Sequence, residues 1–401
     1  MINIAVMGYG TIGSGVVKTL DINKKTITCK TGDEINVKYV LDLRDFEGDP
    51  IQDKIVHDVN VIVQDPEVSI VVETMGGTKP AYQFVKAMLE AGKSVVTSNK
   101  ALVAAHGTEL LEIATSKKIS FLFEASVGGG IPIIRPLRTS LAQDEVEEIV
   151  GILNGTTNYI LTKMREEGIS YETALSQAQE LGYAEKDPTA DVEGHDACRK
   201  IAILSSLAYG KEANYEDIYT EGITKITTED FKYAQKAGMA IKLLATSRRS
   251  GNKFYAMVAP TMVDEDCPLF SVNDVFNAVL VKGNIVGDLM FYGSGAGSLP
   301  TAAAVVSDVI EAAKHPHCSV SIPWDREKLR FSDWKDEEKR FFVRFRGDSN
   351  KDAVIKTLEP TKAYELDGMD EYAIVTTKMS ERKFEETINK LDGVISILRV
   401  Y

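Results

Sequence analysis

The sequence predicts an α/β protein with a parallel-sheet domain, an α+β domain and a small C-terminal βαββαβ domain. The first third alternates short β-rich runs such as INIAVMG with helix-like runs such as AYQFVKAMLEAG. Strands and helices in alternation are typical of a parallel sheet covered on both faces. From about Gly128 the alternation ends, and a Gly/Pro-rich start leads into mixed strand and helix patterns.

The first domain is predicted to cover residues 1–127. Its strands are predicted at INIAVMG, VKYVLD, SIVVETMGG, SVVTSNK and SFLFEAS, and its helices at TIGSGVVKTL, AYQFVKAMLEAG and GTELLEIATSKK. Much later, GSLPTAAAVVSDVIEAAK has a proline in its first turn and one apolar face, which predicts a helix near 298–314. We expect this helix to return and complete the first domain.

The rest of the chain is predicted to form two further domains and a linker. Residues 128–297 contain VEEIVGILNGTTNYILTKM, which changes from strand to helix, then the helix IAILSSLAYG and the strand KFYAMVAPTMV. Residues 315–337, beginning HPHCSVSIPWDREK, are predicted to be a linker. Residues 338–401 have the βαββαβ order of a ferredoxin-like domain, in the runs FFVRFRG, KDAVIKTL, TKAYELD, EYAIVTT, ERKFEETINKL and VISILRVY.

Composition limits the kinds of partner. The chain has 401 residues and a net charge of -13, which argues against nucleic acid or an anionic membrane as a main partner. No apolar stretch is long enough to span a bilayer, and a strand starting at Ile2 leaves no room for a signal peptide. The four cysteines are far apart, with no CxxC, as expected for free thiols. We expect a cytoplasmic protein.

A glycine fingerprint follows the first strand. Gly8, Gly10 and Gly13 have the G-x-G-x-x-G spacing and open a helix. Such glycines allow a tight turn and the close approach of a dinucleotide pyrophosphate to the helix N-terminus. This pattern predicts a Rossmann domain that binds NAD or NADP, against the alternative of an ordinary Gly-rich turn.

The sequence leaves the choice between NAD and NADP open. Asp42, at the end of the second strand, would accept a hydrogen bond from a ribose 2′-OH, as in NAD-binding domains. Arg44, two residues later, would pair with the 2′-phosphate of NADP.

Three polar or Gly-rich turns are candidate ligand contacts. Lys100 follows a strand at the edge where open α/β sheets bind ligands, although it could be a solvated loop lysine. The run 154–158, NGTTN, is either a binding turn or a plain helix cap. The run 293–297, GSGAG, precedes a helix and is either a second backbone contact or a flexible loop.

The segment 187–200, DPTADVEGHDACRK, leads with acids into a hydrophobic helix. Asp196 and Lys200 are four residues apart and therefore share one helix face, beside apolar rows. Spacing alone is compatible with a structural salt bridge or with a lysine held ready for proton transfer, and it slightly favours the salt bridge. Burial would lower the pKa of such a lysine, and the acid would oppose that shift.

Taken together, these motifs resemble homoserine dehydrogenases over nearly the whole chain. The stretches that carry the resemblance are GYGTIGSG, VVTSNKAL, FEASVGGGIPII, GILNGTTNYIL, LGYAEKDPTADVEGHDACRKIAIL and GSGAGSLPTAAAVVSDVI, in that order. The resemblance implies NAD(P)-dependent interconversion of L-homoserine and L-aspartate 4-semialdehyde, in the synthesis of threonine, methionine and isoleucine. It makes residues 1–127 the dinucleotide-binding domain and 128–297 the substrate and dimerisation domain.

The resemblance also implies roles for individual residues. Lys200 would be the general acid/base and Lys100 a second lysine near cofactor and substrate. Residues at the substrate site would be Glu185, Asp191, Asp196, Tyr183 and Thr157. Thr11, Ile12 and Gly297 would contact the cofactor. A structural monovalent cation, usually sodium, would be held mainly by backbone carbonyls of Glu124, Val127, Gly129 and Ile131.

The resemblance further implies a homo-oligomer, a dimer or a tetramer, with an ACT-like C-terminal domain. This chain's tail is short and lacks the Asp-x-Pro-Gly turn after its first strand, which weakens the case for feedback by threonine. Two other hypotheses are an aspartate-semialdehyde dehydrogenase, which needs a thiolate nucleophile, and a non-catalytic sensor that joins a Rossmann domain to an effector-binding tail.

Overall fold

A computed structural model describes residues 1–347 and 351–401. Its strands, in chain order, are β1 (Ile2–Met7), β2 (Ile35–Leu41), β3 (Ile55–Val56), β4 (Val68–Glu73), β5 (Ser94–Thr97), β6 (Phe121–Leu122), β7 (Val146–Ile152), β8 (Lys211–Glu212), β9 (Tyr219–Thr220), β10 (Met239–Ser250), β11 (Lys253–Asp264), β12 (Phe276–Gly283), β13 (Gly287–Ser294), β14 (Asp325–Lys328), β15 (Glu338–Arg346), β16 (Lys362–Glu365), β17 (Glu371–Val375), β18 (Met379–Ser380) and β19 (Val394–Val400).

The α-helices, in chain order, are α1 (Thr11–Ile22), α2 (Lys24–Thr31), α3 (Val59–Gln64), α4 (Ala81–Glu90), α5 (Lys100–Lys117), α6 (Gly155–Glu167), α7 (Tyr171–Glu180), α8 (Thr189–Val192), α9 (His195–Tyr209), α10 (Thr228–Lys236), α11 (Ser298–Lys314), α12 (Lys351–Leu358) and α13 (Glu381–Ile388). None of the helices in the described ranges is long and apolar enough to cross a membrane.

The chain divides into two compact units. Unit 1 comprises Met1–Glu145, Ala202–Asn214 and Phe291–Leu329, and unit 2 comprises Val146–Ile201, Tyr215–Met290 and Arg330–Tyr401. The division cuts through α9 and assigns the C-terminal segment to unit 2. The finer boundaries expected from the sequence, with a separate linker and tail domain, stay a prediction.

Unit 1 contains a six-stranded sheet in the order β3-β2-β1-β4-β5-β6, and all its pairs are parallel. This strand order is that of the Rossmann fold, so the predicted α/β class is confirmed for this unit. The interior strands are apolar on both faces, as in β4, where Ile70 to Val72 are buried, because helices cover both sides. Helix α11 supplies Ala302, Val305 and Val309 to the same core.

Two segments of unit 1 differ from the prediction. The run SFLFEAS is a strand only at Phe121–Leu122, and a 3₁₀ turn follows at Glu124–Ser126. The supposed linker contains β14, which pairs in parallel with β8. Both differences arise from contacts with distant parts of the chain, which local pattern does not reveal.

Unit 2 contains a large mixed sheet in the order β13-β12-β7-β10-β11-β19-β15-β17-β16. Its centre is the long hairpin of β10 and β11, with β7 and β12 antiparallel beside it. Helix α6 begins directly after β7, so the NGTTN turn lies where this strand ends. The predicted strand-to-helix change is therefore confirmed.

The C-terminal residues have the predicted βαββαβ order, from β15 to β19, with β18 as a short extra strand. Their strands pair in the order β19-β15-β17-β16, and β19 also pairs in parallel with β11 through Thr261–Arg399 and Met262–Val400. The tail therefore extends the sheet of unit 2. The turn where the sequence lacks Asp-x-Pro-Gly falls partly on 348–350, which lie outside the described residues.

Buried ion pairs fix this tail within unit 2. Arg344 on β15 pairs with Asp230 of α10 at 2.9 Å, and both side chains are almost fully buried. Arg399 on β19 pairs with Glu221 at 2.7 Å and also with Glu381. The Glu381 pair lies within the tail, whereas Asp230 and Glu221 belong to the rest of unit 2. Removing one partner of such a buried pair leaves an uncompensated charge, so we expect it to be strongly destabilising.

Candidate active site

The glycine turn of unit 1 has the geometry that a dinucleotide requires. Gly8 has φ +95°, which favours glycine, and a Cβ added at Gly13 would overlap the Gly8 carbonyl oxygen. A Cβ at Gly10 would meet nothing within 4 Å, so the turn leaves open space beside the N-terminus of α1. Thr11 and Ile12 lie in the first turn of that helix, where backbone N–H groups have no partner within the helix. These residues fit a pyrophosphate.

Gly297 lies beside the same turn. It precedes α11 and has φ +116°, and the hydroxyl of its neighbour Ser298 donates to the carbonyl of Thr11 at 2.7 Å. The residues expected to contact the cofactor at the glycine turn and before α11 are therefore brought together within unit 1.

Asp42 and Arg44 form an ion pair next to the glycine turn. Asp42 accepts the backbone N–H of Tyr9 at 2.8 Å and two hydrogen bonds from the Arg44 guanidinium at 3.0 Å. The hydrogen bonds from Arg44 hold the pKa of Asp42 at about 2, so this carboxyl is charged at neutral pH. Arg44 is 61% exposed and also lies over the ring of Phe46. With a further hydrogen bond from the Arg44 backbone N–H, the two Asp42 oxygens accept four hydrogen bonds, whereas the Arg44 guanidinium stays mostly exposed.

Lys100 is the first residue of α5, which begins at the carboxyl edge of the parallel sheet. Asn99 caps this helix, since its Oδ1 accepts the backbone N–H of Leu102 at 3.1 Å. The lysine is half-buried. Lys100 therefore lies at the carboxyl edge of the parallel sheet, as the sequence predicted.

In unit 2, Lys200 is buried in a polar cluster. Its Nζ lies 2.7 Å from Asp196 Oδ2 and donates to the carbonyl oxygen of Leu153 at 2.7 Å. Only 8% of Lys200 and 2% of Asp196 is exposed. The expected i,i+4 pair is confirmed, and its burial distinguishes it from the exposed pairs that contribute little to stability. The pair lies in the first turns of α9, which is separate from α8 because Gly194, between the two helices, has φ +82°.

Asn154 holds this cluster together, and sequence reasoning had given it only a general place in the NGTTN turn. Its Nδ2 donates to Asp191 at 2.7 Å and to Asp196 at 3.0 Å. Its Oδ1 accepts from the backbone N–H of Thr157 at 2.9 Å and caps α6. Both hydrogens of one amide therefore join two carboxylates that also belong to the expected substrate site.

The comparisons with known proteins agree on one family. A homoserine dehydrogenase family model matches residues 132–310, and its NAD binding domain model matches 8–124. The homoserine dehydrogenase of Bacillus subtilis is 42% identical over 324 residues, 80% of this chain and 75% of that protein. The chain belongs to the homoserine dehydrogenase family. Its members are oxidoreductases, and the predicted enzyme class is confirmed.

Solved structures of homoserine dehydrogenases have the same fold. The enzyme of Thiobacillus denitrificans superposes with a TM-score of 0.93 at 35% identity, covering 100% of this chain and 98% of that one. A hyperthermophilic archaeal homoserine dehydrogenase in complex with NADPH has a TM-score of 0.66 at 28% identity, covering 78% of this chain and 97% of that one.

Tyr183 and Glu185, two further residues expected at the homoserine dehydrogenase substrate site, are exposed in unit 2. Tyr183 is 44% exposed, packs edge-on against Tyr159, and accepts at its carbonyl oxygen from the hydroxyl of Thr156 at 2.6 Å. The carbonyl oxygen of Glu185 accepts from Gln179 at 3.1 Å. Hydrogen bonds thus connect the segment 183–185 to the NGTTN turn and to α7.

The loop expected to hold a cation in homoserine dehydrogenases is shaped by glycines. Gly129 has φ +58°, and a Cβ there would overlap the backbone of Gly295. The side chain of Glu124 is engaged elsewhere, because its oxygens accept three backbone N–H groups, from Ile133, Ile134 and Arg135. Burial raises the pKa of Glu124. Within the ranges the structure describes, no group of three His, Cys, Asp or Glu residues could bind a metal, so a cation in this loop would depend on carbonyl oxygens.

Proposed function

We propose that this chain interconverts L-homoserine and L-aspartate 4-semialdehyde with a nicotinamide dinucleotide, in the cytoplasmic synthesis of threonine, methionine and isoleucine. Family membership supports the reaction. The observation that carries the mechanism is the burial of Lys200, with its Nζ on Leu153 and Asp196. A lysine held by a carbonyl oxygen and a carboxylate has a fixed orientation, which proton transfer to or from a bound substrate requires.

Lys200 acts as the general acid/base in this proposal. When homoserine is oxidised, the neutral amine of Lys200 accepts the proton of the substrate hydroxyl. When the aldehyde is reduced, the ammonium of Lys200 donates a proton to the forming alkoxide. A nicotinamide bound by unit 1 would accept or supply the hydride. Asp196 keeps the amine in place in both directions, since it is the other end of the same i,i+4 pair.

In this proposal the carboxylates of Asp191 and Asp196, in the segment 187–200, bind the ammonium group of the substrate. Asp191 and Asp196 are oriented by the amide of Asn154, which leaves their positions little freedom. Thr157, at the start of α6, offers a hydroxyl beside them. By family resemblance Tyr183 and Glu185 complete the site. Fixed polar groups of this kind lower the entropic barrier to reaction.

The cofactor roles assigned to unit 1 follow its geometry. Gly8, Gly10, Gly13 and the first turn of α1 hold the pyrophosphate, Gly297 lies beside it, and Lys100 serves as the second lysine of the family. Asp42 would accept from the 2′-OH of NAD once Arg44 releases its carboxyl, whereas Arg44 would pair with the 2′-phosphate of NADP, so both cofactors remain candidates. The Gly129 loop binds sodium through the carbonyl oxygens of Glu124, Val127, Gly129 and Ile131.

We further propose that the protein is a homo-oligomer, a dimer or a tetramer. Strand β13 is an edge of the unit 2 sheet. Large apolar side chains on β13, in the turn before it and at the start of β12 are exposed: Met290 43%, Ile285 74%, Val286 41% and Phe276 37%. An exposed apolar edge is typical of an interface with a second copy. The C-terminal βαββαβ segment would be an ACT-like domain in this assembly. Light scattering of the purified protein gives its mass, and a monomer at assay concentration would contradict the proposal.

The decisive experiment is homoserine oxidation followed at the NAD(P)H absorbance band. NAD and NADP are tested side by side, in sodium chloride and in choline chloride, with and without threonine. We expect turnover with at least one cofactor, and higher activity or stability in sodium. Inactivity with both cofactors in sodium would contradict the proposed function, and inhibition by threonine would show that the enzyme responds to this amino acid.

Two of the four cysteines weigh against the aspartate-semialdehyde dehydrogenase alternative. Burial raises the pKa of the Cys198 and Cys267 thiols, so neither is a thiolate at neutral pH. Cys29 and Cys318 are exposed. Activity that survives iodoacetamide and needs no phosphate would remove this alternative, and measured turnover removes the non-catalytic sensor.

A further inference from the structure

A fully buried carboxyl lies at the carboxyl edge of the parallel sheet in unit 1, outside the motifs that identify the family. Glu73 is the last residue of β4 and is 0% exposed. Its Oε1 accepts the backbone N–H of Met75 at 2.8 Å, and its Oε2 is 2.5 Å from the hydroxyl of Thr97, the last residue of β5. One side chain therefore joins the loops that leave two neighbouring strands.

The hydrogen bonds continue from Thr97 to the start of α5. Thr97 Oγ1 accepts the backbone N–H of Asn99 at 2.9 Å, and Asn99 Nδ2 donates to the carbonyl of Gly77 at 2.5 Å. Asn99 also caps α5 through Leu102, and Lys100 is the first residue of that helix. The direction in which Lys100 leaves the sheet edge is therefore set by contacts that begin at Glu73.

The loop after β4 also supports the glycine turn. The hydroxyl of Thr74 donates to the carbonyl of Gly8 at 2.9 Å. A Cβ at Gly8 would lie 3.1 Å from the backbone of Met75, so the two loops are in close contact. The loops after β1, β4 and β5 thus form one connected structure, with the Glu73 carboxyl at its centre.

We propose that Glu73 is a positioning residue that fixes Lys100, and the loops around it, for hydride transfer by this enzyme. The inference rests on the proposed function. Glu73 does not touch the substrate in this scheme; it acts through Thr97 and Asn99. A displacement of about 1 Å at a reacting group costs catalysis even when binding is preserved, so the effect falls on kcat more than on KM.

Glutamine is the informative replacement. Burial raises the pKa of Glu73 while the hydrogen bonds from Thr97 and Met75 oppose the shift. Glutamine has nearly the same shape: its amide oxygen can accept the Met75 N–H as Oε1 does, and its NH2 can donate to Thr97 Oγ1 once the Thr97 hydroxyl turns its own hydrogen away. Glu73→Gln therefore keeps both links, whereas Glu73→Ala removes both and leaves the two loops unconnected.

The test compares Glu73→Gln, Glu73→Ala and Thr97→Val with wild type, in the homoserine oxidation assay and by cofactor titration. Glu109→Gln is the matched control, because Glu109 is a hydrogen-bonded carboxyl of the same unit that contacts Tyr82 and Lys86 instead. We expect Glu73→Ala to lower kcat by about 30-fold with little change in KM, Thr97→Val to lower it in the same sense, and Glu73→Gln to stay within about threefold of wild type.

The outcomes separate the two proposals. An inactive wild type overturns the proposed function and this inference with it. An active wild type with Glu73→Ala near normal overturns the positioning role alone. If Glu73→Ala does not fold, Thr97→Val decides, since it removes one hydroxyl and keeps the side-chain volume: a normal kcat there overturns the inference, and a lowered kcat with Glu73→Gln active supports it.

Discussion

Lys200→Arg is expected to lower kcat for homoserine oxidation by about 1,000-fold, while the Kd for the dinucleotide stays within about threefold. Arginine can keep the ion pair that Lys200 makes with Asp196, but its guanidinium does not lose a proton at assay pH. The substitution therefore separates proton transfer from charge pairing. Steady-state kinetics and cofactor titration measure the two quantities on the same preparation.

A matched control is available in α6 of the same unit. Lys163 makes an i,i+4 pair with Glu167 at 3.1 Å, with 24% of the lysine side chain exposed. Lys163→Arg should leave kcat unchanged, because this pair lies on a partly solvated helix face. If Lys200→Arg retained near-normal kcat, the lysine would be a structural salt-bridge partner and the proton carrier would have to be sought elsewhere.

Much of the cluster around Lys200 follows from local spacing, and the part that does not is held by contacts distant in sequence. The i,i+4 rule predicted the pair of Asp196 and Lys200. Asn154 bonds to Asp191 and Asp196 across 37 and 42 residues, so no local pattern indicates that its amide joins them. The sequence did not indicate Glu73 for the same reason. Its hydrogen bond with Thr97 spans 24 residues and forms only because β4 and β5 are neighbouring strands.

The fold shows the same division between local and distant causes. Periodicity and order predicted the parallel sheet and the βαββαβ tail, since each element carries its own pattern. The early end of β6 was missed: the chain enters a 3₁₀ turn there, and the Glu124 side chain in this turn accepts three backbone N–H groups at 133–135. The pairing of β14 with β8, and of β19 with β11, joins segments that look like a linker and a separate domain in sequence.

Gly13→Ala is expected to weaken dinucleotide binding by about 100-fold and to lower the melting temperature of the free protein. The added methyl group would overlap the Gly8 carbonyl oxygen and would lie 3.0 Å from the Thr74 hydroxyl, so the backbone of the turn must move. Overpacking a rigid site costs about 1–3 kcal/mol, which corresponds to roughly 5- to 150-fold in affinity when it falls on the binding conformation. Fluorescence titration with NADPH and NADH gives the affinity, and thermal melts without ligand give the stability.

Gly10→Ala separates a steric effect on the bound dinucleotide from an effect on the conformation of the glycine turn. A Cβ at Gly10 meets nothing within 4 Å in the free chain, so this variant should melt at the wild-type temperature. It should nevertheless lose affinity for both dinucleotides, because the methyl group would occupy the volume assigned to the pyrophosphate beside α1. Unchanged affinity in Gly10→Ala would mean that the pyrophosphate lies elsewhere, and the loss in Gly13→Ala would then be an effect on folding alone.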